Sequence, residues 1–152
     1  MRFRFVFEPL LRMHAHREES EREKLLRVNA TAAESRNRLR QFKEEQARSA
    51  AELRKRMLTS MSGGELRVRS ELGEIDEARR HRLEQEIREL DMQAAQQAEI
   101  YREQRATREL WEGLRNRHFS VYQQRQQLRD QKQAEDDFLL TRQNLPGVGR
   151  QS

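Results

Sequence analysis

Apolar residues recur along the first third of the chain at alternating steps of three and four. Leu25, Val28, Ala32, Leu39 and Phe42 fall on this ladder, and Ser35 completes it. Such spacing predicts a helix with a narrow buried seam rather than a strand, whose apolar positions would alternate. Leu53, Met57 and Met61 continue the pattern after a shift of register between Phe42 and Leu53, which would change the supercoil locally. Upstream, the seam positions hold His14, Glu18 and Glu21. The seam is weak there, which leaves that stretch loosely paired or reserved for a partner.

A second helix shows a seam of Leu83, Ile87, Leu90, Ala94 and Tyr101, extended by Trp111 and Tyr122. A stripe of Leu110, Leu114, Val121, Leu128 and Phe138 lies beside it. Gly113 is a weak point, costing about 1 kcal/mol relative to Ala in an exposed helix. Between the two helices stands Thr59-Ser60-Met61-Ser62-Gly63-Gly64-Glu65. Paired glycines predict a helix end in left-handed dihedrals, and Ser62 with Glu65 has capping-box spacing for the next helix.

The expected fold is all-α, an antiparallel two-helix coiled coil or long helical hairpin. Residues 1–145 form a single coiled-coil domain, with a helix over about 8–61, a turn at 62–65 and a helix over about 66–144. Residues 146–152, starting at Pro146, read as a disordered tail. Residues 1–7 alternate Phe3, Phe5 and Phe7, but a strand there would have no second strand to pair with. They read as an extended or frayed arm, and Pro9 suits the first turn of the helix that follows. At about 1.5 Å per residue the helices would measure roughly 80 and 120 Å. The longer one would then overhang and expose the stripe from Leu114 to Phe138, a candidate partner surface.

Composition agrees with a seam and disagrees with a thick core. Of 152 residues, 38% are charged and only 34% hydrophobic, a long-helix bias. Two prolines and a regular apolar period weigh against disorder. Cysteine is absent, which excludes disulfides and thiolate metal sites and fits a reducing compartment. No run approaches the ~20 apolar residues of a membrane span, and Met1 to Leu11 lacks the apolar region of a signal peptide. The net charge of +5 is uneven. Residues 1–62 carry 15 Lys/Arg and 9 Asp/Glu, and residues 63–152 carry 16 and 17. The first half is therefore the better match for an acidic partner.

Chemistry is sparse. None of His14, His16, His81 and His118 has a second histidine four residues on, so ligand spacing for a metal is missing. Gly63-Gly64 is not followed by Lys-Ser/Thr, as a phosphate-binding loop requires, and no catalytic serine or threonine motif stands out. No enzyme activity and no cofactor are expected. Acidic pairs such as Glu18-Glu19 and Glu44-Glu45 sit among arginines and read as ion pairs on solvated faces. The best basic run, Arg36, Arg38, Arg40 and Lys43, is short and interrupted, so nucleic acid is not expected as a partner. Tyr101, Trp111, Phe119 and Tyr122 fit seam packing and interface anchoring equally.

Two stretches resemble a known family. The opening Phe3-x-Phe5-x-Phe7-Glu8-Pro9-Leu10-Leu11 resembles the F-x-F-x-L-E-P-L-L start of the flagellar FliJ family. The closing part is similar to that family's last helix: Leu110 to Leu114, Tyr122, Asp130-Gln131-Lys132, the acids Glu135-Asp136-Asp137, and Arg142. Phe7 stands where a leucine is usual, and Phe138 is displaced from directly behind the acid pair. Residues 30–95 match only in character.

The resemblance implies a component of the bacterial flagellar type III protein export apparatus, cytoplasmic and peripheral at the cytoplasmic face of the cell membrane, serving motility. Its implied partners are the hexameric flagellar export ATPase, the membrane export gate protein and the export chaperones, with the membrane reached only through protein partners. It also singles out Arg129, Gln131, Lys132, Glu135 and Asp136 as the residues meeting the ATPase, in a charged cluster suited to charge matching inside a pore. The opposite end, with Leu72, Ile75 and Leu83, is left for the gate. The alternatives are a self-associating structural scaffold, using the overhanging stripe, and a nucleic-acid-binding helical hairpin.

Overall fold

A computed structural model describes residues 2–144, and among these no strand occurs. Two helices account for nearly all of them: α1, Glu8–Thr59, and α2, Gly63–Asn144. They pack against each other. The expected tail, residues 146–152, lies outside the described residues.

The connection is one residue shorter than expected and starts two residues earlier. Only Ser60, Met61 and Ser62 stand between the two helices. The Thr59 hydroxyl donates to the Arg56 carbonyl (3.1 Å) and the Ser60 N–H reaches the same carbonyl (3.3 Å), closing the last turn of α1. Ser62 then caps α2, its hydroxyl accepting from the Glu65 N–H at 3.3 Å, as the capping spacing predicts. The expected left-handed glycine end does not occur. Gly63 and Gly64 form the first turn of α2, and the positive φ, 153°, belongs to Ser60. Once Ser62 satisfies a free N–H of the new helix, the glycines have no turn left to make.

The described chain forms two compact units, residues 16–105 and residues 2–15 with 106–144. In the first, α1 buries Ala32, Ser35 and Phe42. Leu25, Val28, Leu39, Gln46 and Leu53 are half-buried on the same ladder, and Leu83, Ile87, Leu90, Ala94 and Gln97 are half-buried on α2. Gln46 and Leu53 stand at three-four steps from Phe42, so the expected shift of register between Phe42 and Leu53 is absent. A polar glutamine at a seam position mimics a break in the apolar pattern.

Cross-helix contacts in this unit join Glu21 to Gln97, Arg36 to Asp91 and Phe42 to Arg79. The Arg79 guanidinium lies 5.1 Å from the centre of the Phe42 ring. The Gln97 amide donates to the Glu21 carbonyl at 3.1 Å and to the Glu21 carboxylate. The polar seam at Glu21 is therefore paired and not loose. Polar groups that meet across a seam are satisfied in one register and orphaned in others, which fixes alignment.

The second unit is built on aromatic rings. Residues 2–5 precede a turn at Val6–Phe7, and α1 starts with its Glu8 and Leu11 N–H groups on the Phe5 and Phe7 carbonyls (3.1 and 3.0 Å). Phe3 lies edge-on to Phe119 and tilted against Tyr122, with ring centres 5.1 and 5.4 Å away. Phe5, 7% exposed, meets Phe7 and His118 edge-on. Phe7 leans on Trp111, whose other neighbour is the stacked ring of His14. Arg115 donates to the Glu8 carboxylate at 3.1 Å. The arm is thus ordered against α2, and the frayed alternative is corrected. Alternation of three rings does serve a packing surface, but the surface is a helix.

Candidate functional site

The residues singled out for the ATPase end all lie on α2 and are all exposed, as is the whole of residues 127–144. Helical spacing divides them between two faces. Arg129, Lys132 and Asp136 follow one another at steps of three and four. Gln131 and Glu135 lie on another face, where the Gln131 amide donates to the Glu135 carboxylate at 3.4 Å. Ala134, Phe138 and Leu139 complete a shallow groove beside that pair. The five residues therefore do not form one cluster. The chain offers a charged face and an amphipathic one side by side.

The exposed apolar stripe is present in part. Leu110, Leu128 and Phe138 are about two-thirds exposed, and Leu114 is half-buried. Leu139 and Leu140 add to it. Trp111, Phe119 and Tyr122 are engaged by Phe7 and Phe3, which favours packing over recognition for these three rings.

The residues singled out for the gate end lie in the other unit. Leu72 and Ile75 are exposed, and Leu83 is half-buried on the seam ladder. Leu72 lines a cavity of about 820 Å³ next to the helix connection, together with Leu53 and Val68. The cavity exists because the ladder there runs out of bulk. Ser49, Ala50, Gly64 and Gly73 line it, and a methyl group added at either glycine would meet nothing.

Electrostatics in both units are dominated by surface pairs. The Gln97 hydrogen bond, followed by that from Lys24, holds the Glu21 carboxyl below its ordinary value. Arg80 does the same for Glu84. His81 stands between Glu77 and Glu84 at 3.8 Å from each. The Nδ1 of His14 is buried without a hydrogen-bond partner, while its ring rests on Trp111.

Among the described residues no group of three or more His, Asp or Glu is placed to hold a metal ion, and no helix is long and apolar enough to cross a membrane. What sequence reasoning missed is the association of Arg2 and Arg4 with Arg125 and Arg129 around a cleft. The signal was available: the helical neighbours of Arg125 and Arg129, three and four residues away, include no acid. Comparison of the chain with protein-family models, curated proteins and solved structures gives no match.

Proposed function

We propose that the chain is a non-enzymatic antiparallel coiled coil of the flagellar type III export apparatus. In this reading it links the export ATPase ring to the membrane export gate and handles export chaperones. The order of cross-helix contacts, Glu21 with Gln97, Arg36 with Asp91 and Phe42 with Arg79, supports the antiparallel sense. The unbroken three-four ladder supports the coiled coil.

One observation carries the functional reading. The opening and closing segments, which hold the resemblance to the FliJ family, are far apart in sequence yet pack on each other, Phe3 on Phe119 and Tyr122, Phe7 on Trp111. A shared structural role explains why both would be kept in one chain. The ATPase contact is assigned to Arg129, Gln131, Lys132, Glu135 and Asp136, and the gate contact to the end with Leu72, Ile75 and Leu83.

The test is co-purification with the hexameric export ATPase of the same organism, using the wild-type chain and the double reversal Arg129→Glu/Lys132→Glu. Loss of the complex with unchanged helical content supports the assignment. A chain that fails to bind the ATPase at all refutes the export reading. The self-associating scaffold has its own support in exposed Leu128, Phe138, Leu139 and Leu140. Light scattering that gives a concentration-dependent mass above 18.3 kDa would favour it.

A further inference from the structure

Eight arginines of the described chain are neutralised by a carboxylate. Arg22, Arg27, Arg38, Arg80, Arg102 and Arg108 each face a glutamate one helical turn away. Arg36 and Arg115 pair with a carboxylate on the other helix. One cleft instead gathers four arginines in one place. It lies between the N-terminal arm and α2, encloses about 500 Å³, and is lined by Arg2, Arg4, Arg125 and Arg129 with His118. No carboxylate lines it.

Local sequence explains why these arginines stay unpaired. On a helix, side chains three and four residues apart are neighbours. For Arg125 those neighbours are Val121, Tyr122, Leu128 and Arg129, and for Arg129 they are Arg125, Gln126, Lys132 and Gln133. Asp130, next in the chain, leaves the helix about 100° away from Arg129. Arg125 with Arg129, and Arg129 with Lys132, are like-charge pairs, which weaken a helix. The arm then adds Arg2 and Arg4 to the same place. Phe3 anchors the arm through Phe119 and Tyr122, so the charge is held there by packing.

We propose that this cleft is a docking site for an acidic peptide segment carrying an apolar residue between its carboxylates. Guanidinium groups match carboxylates in fork geometry. Phe3, Val121 and Tyr122 form the apolar part of the lining, where one apolar side chain fits between the flanking arginines. A peptide is favoured over a nucleic acid because the Phe3 and Tyr122 rings are engaged with each other and with Phe119, and are not offered as stacking platforms. The site goes beyond the export reading and does not depend on it, since three of its four arginines lie outside the residues assigned to the ATPase.

The experiment uses the full chain and a fluorescein-labelled peptide, Glu-Asp-Glu-Phe-Glu-Asp-Glu, with binding read by anisotropy at low salt. Arg125→Glu/Arg129→Glu should lower affinity at least tenfold, and Arg4→Gln/Arg125→Gln should lower it by a smaller factor. Arg54→Glu/Lys55→Glu, an equal charge change elsewhere, should leave affinity within about twofold. A peptide with Ser in place of Phe should bind more weakly. Circular dichroism checks that each variant keeps its helices, and Arg125→Gln/Arg129→Gln replaces the reversal if it does not. The proposal fails if the cleft variants and the Arg54/Lys55 control lose affinity equally. It also fails if a thymidine oligonucleotide or phosphatidylglycerol vesicles bind more tightly than the peptide through the same arginines. Because no ATPase is present, a negative pull-down and a negative peptide titration report separate failures.

Discussion

The two units solve the same problem with different materials. Residues 16–105 close their seam with small and aliphatic side chains and one buried ring, Phe42, with Ala32 and Ser35 the most buried, and add a few polar cross-links. Residues 2–15 and 106–144 close theirs with rings, brought in by an arm that is not helical. Two helices alone bury little: Ala32, Ser35 and Phe42 are the buried helical residues of the described chain, and the arm adds Phe5. The comparison teaches that a thin seam can be sealed either with small side chains that are themselves fully covered or by covering it with a third element. The first route leaves little room for substitution, and the second makes local order depend on a handful of aromatic contacts.

The largest expected effect is at Phe42. Its replacement by alanine removes a buried ring and the Arg79 contact, and should cost about 3 kcal/mol, read as a lower midpoint in urea unfolding followed by far-ultraviolet circular dichroism. Phe5→Ala should instead release the arm, with a red shift of Trp111 emission and helical content nearly intact. If Phe5→Ala removes as much helix as Phe42→Ala, the contrast between the units collapses.

Gln97→Ala comes next. It leaves the Glu21 carboxylate and carbonyl without their cross-helix donor, and should cost about 1 kcal/mol. Gly64→Ala and Gly113→Ala should go the other way. Both glycines are helical with open space around them, so each alanine should stabilise by about 0.5–1 kcal/mol. A loss of stability at Gly64 would mean that the connection needs glycine after all.

The smallest effect is the acid dependence. Glu21 and Glu84 have folded-state pKa values below their ordinary ones. Their contribution is therefore complete above the usual glutamate value, about 4.3, and lost as pH falls through the lowered folded values. Both side chains are half-buried at the surface and still reached by solvent, so high salt should shrink the change. Gln97→Ala should reduce the Glu21 part of it, leaving the share due to Lys24, and leave the Glu84 part unchanged.

Much of the fold was legible because a helix repeats itself. The start of α1 at Glu8, the capping role of Ser62 and the seam ladder from Leu25 to Phe42 follow from spacing and local chemistry. The misreadings share a cause. Gln46 is polar yet sits in the seam, so pattern alone registers a shift. Gly63 and Gly64 carry no sign that Ser62 has already started the next helix. Phe3, Phe5 and Phe7 display a period of two, and nothing nearby tells that their partners are Trp111, His118, Phe119 and Tyr122. The five residues singled out on α2 were legible in sequence only as a charged stretch, and the division of Arg129 and Lys132 from Gln131 and Glu135 needs the helix in three dimensions.

The cavity beside the connection has a kinetic consequence. A helical pair is expected to zip outward from its turn, because the nearest contacts close the shortest loops. Here the contacts nearest Ser60–Ser62 are the poorest: Leu58, Val68, Leu72 and Ile75 are all exposed. Counted from the connection, the first buried side chain is Phe42, which meets Arg79. Folding must therefore close the whole segment between them before burial offsets the lost entropy. Amide exchange should then be fastest around residues 50–75, slow at Ala32 to Phe42, and insensitive to small changes in the connection's length.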